Sequence, residues 1–323
     1  MSPAYILGLR AVENTVFRLE GATGVSARTR SSLPRFTAVL ATVALLAGCG
    51  SAKAGTPVPD GEDAAAYVSA KFDETLNKLS DQFSANETRK TRLDQVVRFD
   101  ERRLNATISA VQLGHPPARL SRNHSNLDSN EYLDVYHPAN SPVEYMLLGP
   151  VYASLAPTPW VQMPYTSGQY NECYWEGAQT VCKMLGAVQD SVEGGHGAKS
   201  ANSKPDGSVE LMAEVTLTAF IENDVVTFPA AISSELTAEM KAQTLQTRVV
   251  LDPRGKLTEI EMTGKITGNG HELEIDYHYR LDGTPSEVDL PKIPDPSQVT
   301  VLADSAAVSD FYARMDDIQG QGR

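Results

Sequence analysis

Three cysteines, six histidines and two sets of closely spaced carboxylates are the side chains of this 323-residue chain whose types and spacing could do chemistry. The histidines do not pair at metal-ligand spacing. His115 and His137 each precede a proline, His124 and His196 fall among loop-forming residues, and His271 and His278 point to opposite sides of one expected strand. Glu259 with Glu261, and Glu272 with Glu274 and Asp276, lie two residues apart, which on a strand puts their carboxylates on one face. Such a group could hold calcium or work as an acid and base pair, and a solvated sheet face is the simpler account. The chain carries no G-x-S-x-G elbow, S-x-x-K, H-E-x-x-H or phosphate loop. The expectation is therefore a non-enzyme with no cofactor and no metal.

The cysteines say more. Residues 26–48 hold Arg28, Arg30 and Arg35 without an acid, then the apolar stretch 36–46, then the small pair Ala47 and Gly48. Basic, apolar and small regions in that order make a secretory signal. The tetrapeptide Leu46-Ala47-Gly48-Cys49 closes it and resembles the lipobox of bacterial lipoproteins, in which the cysteine thiol is acylated and becomes the mature N-terminus. A diacylglycerol there supplies two chains, which is what stable anchoring takes. A plain cleaved signal or an uncleaved anchor helix is the alternative. Glu13 and Glu20 make the leader long for its type, and a start at Val25 would give one of ordinary length. With Cys49 acylated, Cys173 and Cys182 remain as an even pair, and outside the cytoplasm such a pair oxidises, here as a staple across a hairpin in 170–185. A thiol metal or redox site would need a C-x-x-C or histidine partners.

These residues sit in a chain of ordinary globular composition, 41% hydrophobic and 21% charged. Its 28 basic and 41 acidic residues leave a formal charge of −13, which repels phosphate backbones and argues against nucleic acid as a partner. No apolar run reaches the roughly 18 to 20 residues of a bilayer-spanning helix. The expected organisation is a signal over 1–48, a Gly, Pro, Ala and Ser-rich tether over 49–60, one domain over 61–303, and a terminal helix and tail over 304–323.

Within the domain, Ala65, Val68, Phe72, Leu76, Leu79 and Phe83 recur at helical spacing. Strands are expected at 96–99, 107–113, 132–136, 143–148, 151–155 and 160–163, and a long one at 209–221, where every odd position is apolar. Segments 245–251, 257–266 and 271–279 repeat the alternation, with hairpin turns at Asp252-Pro253-Arg254-Gly255 and Gly268-Asn269-Gly270. Ile232, Leu236 and Met240 predict one helix over 229–243, residues 193–208 read as a loop, and Val308, Phe311, Tyr312 and Met315 predict a short terminal helix.

A lipobox, a tether, one helix and a long antiparallel meander interrupted by a helix resemble the LppX and LprG type of actinobacterial lipoproteins, within the wider LolA-like group. Val143-Glu144-Tyr145 through Pro159-Trp160-Val161-Gln162 resembles that group's strand, turn and Trp-Val segment. The run from Val250 through Asp252-Pro253-Arg254-Gly255 to Leu257 resembles its hairpin. Leu281-Asp282-Gly283-Thr284-Pro285 with Val288-Asp289-Leu290-Pro291 is similar to its closing strand. The likeness spans roughly residues 99–301; the Cys173 and Cys182 loop and the acidic tail depart from it. It implies an α+β fold, a strongly curved antiparallel sheet or half barrel covered by helices, with an apolar cavity that holds acyl chains of a lipid or glycolipid. On that reading Leu211, Val215, Leu217, Ile260, Met262, Ile275 and Tyr277 line the cavity. The rival expectation is a cell-envelope interaction or signalling module, with a dense core and an exposed patch.

Overall fold

A computed structural model of the protein describes residues 88–165, 175–196 and 198–321. The leader, the tether, Cys49, the expected helix near 65–83 and Cys173 lie outside them. In the described part an antiparallel meander, β1 (Arg89–Phe99), β2 (Arg102–Leu113), β3 (Ala118–Ser125), β4 (Tyr132–His137), β5 (Val143–Leu148) and β6 (Trp160–Pro164), leads into helix α1 (Glu176–Glu193). A second run follows with β7 (Ala198–Ser203), β8 (Val209–Thr216), helices α2 (Leu217–Glu222), α3 (Ala230–Ser233) and α4 (Ala238–Lys241), then β9 (Thr244–Leu251), β10 (Leu257–Gly268) and β11 (His271–Leu281). The chain closes with β12 (Val299–Val301) and α5 (Ser305–Gln321).

All twelve strands form one sheet in the order β12-β6-β5-β4-β3-β2-β1-β11-β10-β9-β8-β7. The two meanders are sewn together by antiparallel pairing of β1 with β11, and among the described residues the only parallel pair is β12 with β6. The sheet is curved and open, with β12 and β7 as its edges. Twisted strands in this number curl as a matter of course. It is thus a strand-rich sheet with few helices, rather than a half barrel broadly roofed by them.

Several elements differ from expectation, each for a local reason. The odd-position alternation through 221 does not make one long strand. Thr216 ends β8 by accepting a hydrogen bond on its side chain from the Ala219 amide at 3.1 Å, which caps α2. Leu217 and Phe220 then face inward at helical spacing. The strand β3 escaped detection because its core-facing positions are Arg119, Ser121, Asn123 and Ser125, while its apolar Ala118 and Leu120 pack on the opposite side, with Val111 and Tyr136. Lys and Ser in β7 hid a strand inside the expected loop. Residues 151–155 are not a strand, because Pro150 starts a single 3-10 turn there. The helix expected over 229–243 is two four-residue helices.

The hairpin expected around the cysteines is replaced by α1, so Cys182 sits half-buried on a helix. Its buried side, Ala178, Val181, Met184, Ala187 and Val188, is apolar at steps of three and four. Gly177 lets the first turn come close to the sheet. A Cβ there would collide with Ala110 and the Trp175 ring. Thr91 donates its hydroxyl to the Gly177 carbonyl at 3.5 Å. From that seat α1 runs across the sheet, packing on β2 and β3 and, at its other end, on β8 and α2.

Candidate functional site: the sheet face under the helices

Antiparallel register carries side chains across the sheet in rows that share one face. One row reads Leu211, Val249, Ile260, Tyr279, Leu93, Ile108, Asn123, Leu133 from β8 to β4. The next reads Ala213, Thr247, Met262, Tyr277, Gln95, Ala106, Ser125. A third holds Val215 with Leu245, and Ile275 with Val97 and Leu104. From β8 to β2 this face is apolar except at buried Thr247, Gln95, Thr91, Arg89 and Gln112, and α1 to α4 lie over it. Phe220 of α2, Ile232 of α3 and Met240 of α4 complete the same buried cluster.

Six of the seven residues expected to line a cavity are on this face: Leu211, Val215, Ile260, Met262, Ile275 and Tyr277. Leu217 joins the same cluster from α2 rather than from a strand. None of the seven has more than 1% of its surface exposed. They pack against one another and the helices, with Phe220 meeting Tyr277 edge to face at 5.5 Å and 89°. Burial alone pushes the Tyr277 phenol far above its ordinary pKa. The arrangement can shelter apolar groups from water and offers no nucleophile beside a base.

At β3 the character of the face changes. Arg119, Ser121, Asn123 and Ser125 are buried on it, and register places Arg89 beside Gln112, Gln112 beside Arg119, and Arg119 beside His137. Arg119 Nε donates to Gln112 Oε1 at 2.9 Å. His137 donates Nε2–H to the Ser141 carbonyl at 2.9 Å and lies 3.7 Å, ring to ring, from Tyr165. Burial lowers the His137 pKa and the Arg119 charge adds to this, against the Ser141 bond. Beyond this polar band a second apolar cluster, Leu133, Met146, Leu148, Val161 and Met163, is covered by Phe311 and Met315 of α5. Sequence reasoning missed the band. Its one signal was polar residues at every second position of 119–125.

The outer face is a lattice of charges. Arg98 bridges Glu272 and Glu274 at 2.9 and 2.6 Å, Arg248 bridges Glu259 and Glu261 at 2.6 and 3.3 Å, and His278 lies 2.7 Å from Glu259. Of the carboxylates singled out by their spacing, Glu259, Glu261, Glu272 and Glu274 are therefore engaged by neighbouring cations, whereas burial, with Glu261 beside it, pushes the Asp276 carboxyl above its ordinary pKa. Among the described residues no group of three or more His, Cys, Asp or Glu side chains could hold a metal ion.

No protein-family model matches the chain, and no curated protein matches it. Among solved structures, it is similar to a DUF1329 family protein from Desulfovibrio piger at 10% identity, over 70% of this chain and 97% of the other, with a TM-score of 0.24. It is also similar to a LolA superfamily protein from Nitrosomonas europaea, at 10% identity over 66% and 94% of the two chains, TM-score 0.22. A third is a putative outer membrane lipoprotein-sorting protein domain from Vibrio parahaemolyticus, at 8% identity over 68% and 96%, TM-score 0.21. Scores this low lend no weight to a function, which has to come from the chain's own geometry.

Proposed function

We propose that this is an extracytoplasmic lipoprotein, tethered to the cell membrane through acylated Cys49, that carries an acyl lipid or glycolipid against the apolar sheet face under α1 to α4. One observation carries the reading: a continuous apolar face spanning β8 to β2 is covered on one side by helices of only six, four and four residues. Helices this short have little stability of their own and are held by their buried side chains. Moving them aside uncovers Leu211, Ile260, Met262 and Tyr277, and acyl chains taking their place recover roughly 0.8 kcal/mol per buried methylene. No covalent chemistry is required. The tight packing of the seven residues describes the closed form on this reading.

The same tight packing favours a second reading, an interaction module without a ligand cavity, whose exposed large apolar residues among those described include Val288 at 92% and Ile293 at 61%. Native mass spectrometry of gently purified protein, followed by organic extraction, separates the two. A carrier retains lipid, and Ile275→Trp, which fills the space a chain would enter, should lower the lipid load about tenfold. Overpacking costs the closed form about 1 to 3 kcal/mol, so the variant's melting is followed in parallel. A folded variant with an unchanged load, or a wild type that holds no lipid and binds no apolar probe, would leave the interaction module standing.

The export reading also makes Cys173 and Cys182 a disulfide closing a loop of about ten residues, worth ~2 to 3 kcal/mol. Thiol labelling of unfolded, unreduced protein should find neither sulfur free. Labelling of both would refute the pair.

A further inference from the structure

On the sheet face under the helices, two small polar side chains of β1 to β3 have partners. Thr91 donates its hydroxyl to the Gly177 carbonyl at 3.5 Å, and Ser125 Oγ accepts from the Leu127 and Asp128 amides at 3.2 and 3.3 Å. The Ser121 hydroxyl and Asn123 Oδ1 on the same face do not. Their residues are 1% and 8% exposed, and neither atom makes a hydrogen bond. The two are successive residues on one side of β3, roughly 7 Å apart along the strand. Register sets Ser121 between Ala110 and Val135, and Asn123 between Ile108 and Leu133. The pair therefore lies at the seam between the apolar cluster under α1 and the one under α5. Their surroundings are neutral: none of the residues that β1 to β4 place on this face is acidic, and Arg119, the preceding residue on this side of β3, is held by Gln112. The Thr247 hydroxyl is also unpartnered, and it stands alone among apolar Ala213, Leu245, Val249 and Met262. A buried polar group without a partner costs the folded chain its lost hydration, so two side by side call for something that meets them.

We propose that Ser121 and Asn123 form a binding site for an uncharged, hydroxyl-bearing group. Taken with the lipid-carrier reading, on which the assignment of a headgroup rests, the site takes the glycerol or sugar head of a lipid whose chains lie along β8 to β11. The atoms select this chemistry. Asn123 Oδ1 only accepts, so its partner must bring a proton, whereas the Ser121 hydroxyl both donates and accepts. One hydroxyl oxygen, about 2.8 Å from each, donates to Oδ1 and accepts from Ser121, and a second hydroxyl on the next carbon reaches the rest of the span. A carboxylate or an ester offers acceptors alone and would leave Oδ1 unmet. Ile108 and Leu93 continue the row of Asn123 towards Tyr279 on β11, so an apolar path leads from the head to the chains.

The test offers full-length protein two lipids with the same chain, 1-monooleoylglycerol and methyl oleate, and separately glycerol, with binding read by native mass spectrometry and by thermal shift. Wild type should take monooleoylglycerol about tenfold more tightly than methyl oleate, the scale of one or two neutral hydrogen bonds to groups otherwise left unmet. Ser121→Ala and Asn123→Leu should each cut the preference at least about threefold while leaving methyl oleate binding in place. The melting temperature of each lipid-free variant should hold or rise, because the atoms removed bond nothing in the chain, whereas a purely structural role would lower it. The wild-type comparison stands even where a variant fails to fold. Equal affinity for the two lipids, or a preference unchanged in both variants, overturns the hydroxyl site and leaves the carrier reading intact. A glycerol-induced shift lost in Asn123→Leu, with neither lipid bound, supports the site, makes a free polyol its source and overturns the carrier reading. Binding of none of the three overturns both.

Discussion

Replacing Cys49 with alanine should move the protein from the membrane fraction to the soluble fraction. Among the described residues no helix is long and apolar enough to cross a membrane, and the net charge of −13 gives no attraction to an anionic lipid surface. Retention on this reading depends on acyl chains. One myristoyl-length chain binds only marginally, with an association constant of about 10⁴ M⁻¹, and a second makes the anchor stable. Removing the thiol removes the point of attachment, so the effect is expected to be close to all or none. The motive is the Leu46-Ala47-Gly48-Cys49 sequence at the end of a basic and then apolar segment. Fractionation of cells expressing wild type and variant measures it, with mass spectrometry of the peptide beginning at Cys49. Unchanged membrane retention, together with an unmodified wild-type peptide, would rule the anchor out.

Phe220→Ala should cost about 3 to 5 kcal/mol of stability, the usual range for truncating a fully buried aromatic ring. Phe220 has 0% exposure and lies edge to face against Tyr277, a geometry that adds its own increment of roughly 0.5 to 1.5 kcal/mol. Its helix, α2, has only six residues, so the ring is a main hold of that segment on the sheet. The change therefore opens a void and loosens part of the cover at once. Val288→Ala, at a 92% exposed position, should stay within about 0.5 kcal/mol. Chemical denaturation of both variants measures the contrast. A loss below about 1 kcal/mol at Phe220 would mean that α2 does not seal the core.

The hairpins that join β9, β10 and β11 were legible because their signals are local. Asn269 and Gly270 adopt φ of 50° and 81°, both in the left-handed region a two-residue hairpin turn demands, as an Asn-Gly pair between alternating strands implies. Asp252 accepts hydrogen bonds from the amides of Arg254 and Lys256, both at 2.8 Å, and fixes the turn before β10. Alternation likewise put Leu211, Val215, Ile260, Met262, Ile275 and Tyr277 on one face before any strand was paired. The same rule failed at Leu217. Apolar residues at 217, 219 and 221 continue a two-residue period, and the inward Phe220, an exception to that period, was the trace of the helix that follows the Thr216 cap.

By itself, then, the sequence determined the strand type of β9 to β11 and most of β8, and which of their faces is apolar. Those properties depend on residues within a turn or two of one another. Which strands become neighbours was decided by the tertiary structure. Pairing of β1 with β11 joins segments at opposite ends of the described chain, and only that register makes Leu93 and Val97 part of the same apolar face as Tyr279 and Ile275. It also aligns Arg89, Gln112, Arg119 and His137, four residues whose separation carries no periodic signal, into one buried row. A polar side chain on a strand reads as solvent-facing when only its own segment is considered. Whether it is buried depends on what the rest of the chain lays over it, and here that was decided by the packing of helices and strands far away in sequence.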